Sequence, residues 1–193
     1  MISMRILLAA LLSAGALLTA LVANAQSLPA EWETRKGVET LKAKVERLKA
    51  PLDQVRPKEW VAKGAPEAYV GQWERAKSHA EGVKLSADEL GRNPEKLTAV
   101  LDTYFRVSAL ESSVLSLAEG VSRYQNPALA DLLKELAQAV EPDHHQLHQF
   151  ILDLASQKEA DLKVMDQEAQ RCRGFLSKQP VIPPKPAAKT GDK

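Results

Sequence analysis

Metal-ligating side chains crowd most densely in the run Asp143-His144-His145-Gln146-Leu147-His148. On a helix, His144 and His148 lie one turn apart, a spacing that lets two imidazoles meet one ion. With Asp143 as a carboxylate donor, the set reads as a site for a divalent metal such as Zn or Cu. Glu141 and His144 also have the Glu-x-x-His spacing of di-iron carboxylate bundles. Pro142 interrupts that pattern, however, and the chain holds no second Glu-x-x-His. A helical wheel supplies the competing, structural reading. With Leu147 at the centre of the apolar face, His144 falls about 60° away, His148 about 100° away and His145 nearly opposite. His144 and His148 are then boundary histidines at the start of a helical segment.

Two further residues carry chemistry by type. Glu111 falls about 20° from the centre of an otherwise apolar helix face that also contains Tyr104, where a Leu or Ala is expected. An unpaired carboxylate there is expensive, so it must be paired, hydrated or protonated. Ser108, one turn away, is placed to donate to it; the structural reading is a polar device that fixes helix register, and a ligand contact is the alternative. In a hairpin closing near Tyr124 and Gln125, Glu111 faces Gln138, and Tyr104 and Phe105 face His145 and His144. That geometry leaves Glu111 too far along the bundle to join the histidines. Cys172 is the single cysteine. It lands about 20° from the Leu147 direction, which favours a buried thiol acting as a small hydrophobe. An intermolecular disulfide is the alternative and requires exposure.

Other reaction centres find no support. Cys172 is followed by Arg173, so the Cys-x-x-Cys-His haem attachment signal is absent. Met165, the one methionine outside the leader, projects toward the apolar face, as core packing requires. No nucleophile, base and orienter can be assembled. Trp32, Trp60 and Trp73 read as core packing at one end of a bundle.

Composition sets the frame. The formal net charge is +1, and removing a leader that contains only Arg5 leaves the chain neutral. Nucleic-acid binding has no electrostatic basis there. Aromatics are 5% of the residues, while Ala, Leu, Glu, Lys, Gln and Arg are abundant, as in long amphipathic helices. Met1 to Ala25 has the anatomy of a secretory signal peptide: Arg5, an apolar run from Ile6 to Val22, then Ala23-Asn24-Ala25. The expected product is exported, periplasmic or secreted, with no stable membrane insertion after cleavage. One cysteine excludes an internal disulfide framework.

Four principal helices must position these residues. Val38, Leu41, Val45, Leu48, Leu52 and Val55 alternate three and four apart and form a heptad seam. That helix should start near Pro29 with Trp32 as an anchor, and Pro51 should end or kink it near Ala50. A connector follows, with Trp60 folding back from a short turn at Pro57. Pro66 should open the second helix, which carries Tyr69, Trp73, Ala76, Ala80 and Val83 and stops near Lys84. Ser86 and Glu89 have capping-box spacing for a single turn. Asn93-Pro94 and Asn126-Pro127 each read as an N-cap with Pro in the first turn. The third helix then runs from Pro94 to Arg123. The fourth begins at Pro127, bends or breaks at Pro142, and continues through Leu162 and Met165 to Leu176. Ser177 to Lys193, rich in Pro and Lys, reads as a disordered tail.

The sequence therefore predicts an all-α antiparallel bundle over residues 26–176. Its expected action is non-catalytic binding or structural association in the cell envelope, with a protein partner or self-association through a helix face. A metal-binding bundle using His144 and His148 is the alternative, and an enzyme the least supported reading. No cofactor is implied beyond that candidate divalent metal.

Overall fold

A computed structural model describes residues 31–177, with side chains from Glu33 onward. The leader, the start at Pro29, the Trp32 anchor and the tail beyond Ser177 lie outside the described residues. Those residues form two compact units, one running through Asp153 and one from Leu154 onward. They contain no strand. The helices are α1 (Glu31–Glu46), α2 (Lys49–Gln54), α3 (Pro57–Ala62), α4 (Ala68–Arg92), α5 (Leu97–Tyr124), α6 (Pro127–Gln138) and α7 (Glu141–Ser177). No helix among the described residues is long and apolar enough to cross a membrane.

The heptad seam forms the first wall of the core. Val38, Leu41, Val45, Leu48, Leu52 and Val55 are all buried, and each contributes about 1.5–3 kcal/mol relative to exposure. The seam survives a change of helix. The chain turns at Arg47 and Leu48, and α2 starts at Lys49, which puts Pro51 in a first turn where its missing N–H breaks no bond. The helix thus ends four residues before the expected Ala50, while the apolar face continues unbroken.

Trp60 folds in from α3 as expected and is 1% exposed. A Schellman turn ends that helix. Gly64, at φ 96°, donates to the Val61 carbonyl and Ala65 to that of Trp60. Behind Trp60, Tyr69 and Tyr124 complete an aromatic trio with centroid separations of 5.7, 6.1 and 5.4 Å. Trp73 lies apart from this trio and donates from Nε1 to the Leu52 carbonyl at 2.7 Å.

Helix α4 is the hub of the first unit, with α1, α2, α3 and α5 packed on it and α6 packed on α5. It does not stop at Lys84. The apolar face continues through Ala87 and Leu90, and Ser86 bonds back to the Val83 carbonyl instead of capping a new turn. Because α4 runs to Arg92, Asn93 becomes its C-terminal cap and donates to the Glu89 carbonyl. Pro94 then lies in the link, and α5 starts only at Leu97. The second Asn-Pro acts as predicted: the Asn126 side chain accepts from the Ala128 N–H at 2.9 Å. Its neighbour Gln125 clips the α2–α3 junction, accepting from the Arg56 N–H and donating to the Gln54 carbonyl. Lys42–Asp88, Lys77–Asp53 and Lys84–Glu46 pair the edges of α1 and α2 with α4. These surface pairs set register more than stability.

Candidate functional site

The chain breaks between α6 and α7 at Ala139 and Val140, so the fourth helix is two helices and not one bent rod. Glu141 and Pro142 then occupy the first turn of α7, where proline is tolerated. The Val140 carbonyl accepts from both Asp143 and His144, which anchors the turn that aims the next side chains. They diverge. Asp143, buried to 8% exposure, pairs with Lys44 of α1. His144 points at α5, His145 and His148 are exposed, and Leu147 and Phe150 join the core.

His144 is held between two α5 residues. Its Nδ1 lies 3.1 Å from Glu111 Oε2, and its ring stacks on Tyr104 at 4.4 Å. His148 stands 6.0 Å from the same Tyr104 ring. Glu111 therefore does reach a histidine, contrary to the hairpin expectation, and its partner is His144 instead of Ser108. The hairpin register itself holds to within one residue, since Tyr104 meets His144. Side chains lean toward the N-terminus of their own helix, which in a hairpin tilts Glu111 and His144 toward each other. Tyr104, not Phe105, meets His144, since Phe105 faces outward at 63% exposure.

Burial pushes the Glu111 carboxyl above its ordinary range, the Glu141 charge adds to this, and the nearby His144 opposes it. His144 Nε2 is buried and makes no hydrogen bond among the described residues. Neither partner bonds to a hydroxyl or thiol among the described residues; the chemistry the contact offers is a proton shared between a carboxylate and an imidazole. The metal set is divided in this geometry: Asp143 engages Lys44, and His144 engages Glu111. Among the described residues no three His, Cys, Asp or Glu side chains converge at metal-binding distances.

Beside this turn lies a cavity of about 330 Å³. Val38 and Leu41 of α1, Leu90 of α4, and Leu147 and Phe150 of α7 form its apolar wall, with Gly37 at its edge. Sequence reasoning missed it. The available signal was a glycine on the apolar side of α1, next to the seam.

In the second unit no residue from 155 to 177 is buried. Cys172 is exposed, and so are Leu162, Met165 and Leu176 at 64%, 65% and 66%. The core role predicted for Cys172, Met165 and Leu162 is thus overturned. The wheel identified an apolar stripe correctly, but nothing among the described residues covers it. Leu162, Met165, Ala169, Cys172 and Leu176 keep the three-four spacing of a heptad seam. Asp161, Asp166, Glu168, Arg171 and Arg173 flank it, with Arg171 bonded to Glu168 at 2.7 Å.

No family model matches this chain, and neither a curated protein nor a solved structure matches it.

Proposed function

We propose that this protein acts by association and not by catalysis, with residues 162–176 of α7 pairing in parallel with the same segment of a second copy. The observation that carries the reading is the heptad stripe of exposed Leu162, Met165, Cys172 and Leu176 with half-buried Ala169. An isolated helical segment of this length is marginal in water, and pairing its apolar stripe would stabilise it. The exposed cysteine fits the same reading. Parallel pairing sets Cys172 against its own copy, and in an exported protein the compartment permits the disulfide.

Magnitudes decide how the pairing holds. Burying Leu162, Met165 and Leu176 on both copies contributes roughly 1–2 kcal/mol each, about 6–12 in all. The lost freedom of association is about 4–15 kcal/mol. The charges do not tip this balance: Glu168 would face the copy's Arg173 attractively, and Asp161 would face its Asp166 repulsively. The apolar seam alone is therefore weak, and the Cys172–Cys172 bond makes the pair durable. Light scattering on the mature chain should show a dimer without reductant and mostly monomer at micromolar concentration with it. Met165→Glu should weaken the noncovalent pair, and Cys172→Ser should abolish the covalent one. A chain that stays monomeric and unlinked at hundreds of micromolar under oxidising conditions would overturn the reading.

A further inference from the structure

We infer that the cavity between α1, α4 and α7 binds a small amphiphile, with its apolar body against Leu41, Leu90, Leu147 and Phe150 and a cationic head at the mouth. Size and lining come first. At about 330 Å³ the space equals roughly ten waters, at the low end of the range for small-molecule pockets. Most of the surface facing the space is apolar, although Thr34, His145, Gln146 and Gln149 also line it, and apolar surface accepts apolar guests more readily than water.

Gly37 is the second observation. It lies in the interior of α1, where glycine costs about 0.5–1 kcal/mol relative to alanine. Its φ is not positive, so the backbone does not require glycine. Packing among the described residues does not require it either, because a Cβ built at Gly37 meets none of their atoms within 4 Å. Gly37 belongs to the lining, so a side chain there would enter open space beside it. The position gives up helix stability and leaves that space clear.

Charge selects the head. Glu33, Asp143 and Asp153 contribute to the lining, His145 is the basic side chain among the lining residues, and no Lys or Arg joins them. Asp143 is already neutralised by Lys44, whereas Glu33 and Asp153 make no ion pair among the described residues. Two carboxylates beside an apolar cavity favour an ammonium or other cationic head and repel a carboxylate or phosphate.

The probes are octylammonium, octanol and octanoate, titrated below their micelle thresholds into the mature full-length chain at low salt and followed by NMR chemical shifts. Octylammonium should bind with a Kd of roughly 0.1–1 mM, and at least about fivefold more tightly than octanoate. Glu33→Gln with Asp153→Asn should bring octylammonium down to the affinity of octanol and leave octanol unchanged. Gly37→Leu should retain the helical circular dichroism spectrum and lose binding of all three probes by tenfold or more. That variant also separates this cavity from the exposed stripe of α7, which it leaves intact. Absence of binding by any probe overturns the inference, as does undiminished binding by Gly37→Leu. Octanoate binding as tightly as octylammonium overturns the choice of a cationic head.

Discussion

Gly120→Ala should destabilise this fold although alanine is the better helix former. Gly120 is buried in α5 opposite the aromatic trio, and a Cβ there would lie 2.6 and 2.9 Å from Tyr69 ring carbons and 3.2 Å from Trp60 Cζ3. Carbon atoms prefer about 3.5–4.0 Å, so a ring must move by several tenths of an ångström. Neither ring is free to do so. Tyr69 packs edge-on against both Trp60 and Tyr124, and Trp60 is sealed from solvent. Overpacking of this kind costs about 1–3 kcal/mol, while the helical gain from glycine to alanine returns about 0.5–1 kcal/mol. The difference is about 0–2.5 kcal/mol, and two ring contacts under 3.0 Å place the expected loss at about 1–2 kcal/mol. Gly37→Ala is the internal control, because its Cβ meets nothing and only the gain remains. Urea unfolding followed by tryptophan fluorescence and circular dichroism measures both. With a slope of about 1–3 kcal/mol/M, Gly120→Ala should lower the midpoint by roughly 0.5–1 M and Gly37→Ala should raise it. Equal stability of the two variants would refute the packing argument.

Glu111 gives a pH-dependent expectation. Its folded carboxyl titrates above the ordinary 4.5, so the folded state binds the proton more tightly than the unfolded chain, and stability falls as pH rises through that interval. The penalty is absent below about 4.5 and complete above the raised value. Glu111→Gln should therefore match the parent near pH 4 and exceed it in stability near pH 8; a variant that is less stable at pH 8 than at pH 4, relative to the parent, would refute this. For metal, binding at His144 and His148 must compete with the Glu111 contact and, if Asp143 takes part, with Lys44. Elemental analysis of protein purified from its native compartment should find no stoichiometric Zn or Cu, and a stoichiometric metal lost on His144→Ala with His148→Ala would reverse that conclusion.

The first heptad seam was fully legible, because a run of apolar residues at three-four spacing has one low-energy outcome on a helix. The Asn126 cap was equally legible. Asn93 was not, although it heads the same dipeptide. A cap depends on which helix reaches it first, and α4 extends to Arg92 because Ala87 and Leu90 prolong its buried face beyond the polar Lys84. The Glu111–His144 contact was hidden for another reason. Counting opposing positions along a hairpin compares backbone heights, whereas the side chains of Glu111 and His144 lean toward their helix N-termini and so toward each other.

Leu162, Met165 and Cys172 mark a different boundary of sequence reading. Periodicity says that one side of a helix is apolar, because only the order of side chains around the axis enters it. What covers that side depends on where other elements end, and on whether they belong to the same chain. For Val38 to Val55 the covering elements follow in sequence, and the stripe became core. For Leu162 to Leu176 no described element covers the stripe, so the same pattern points outward. Gly37 completes the argument from the opposite direction. A residue that weakens its own helix and relieves no contact is understood only through the space beside it, which local propensity cannot register.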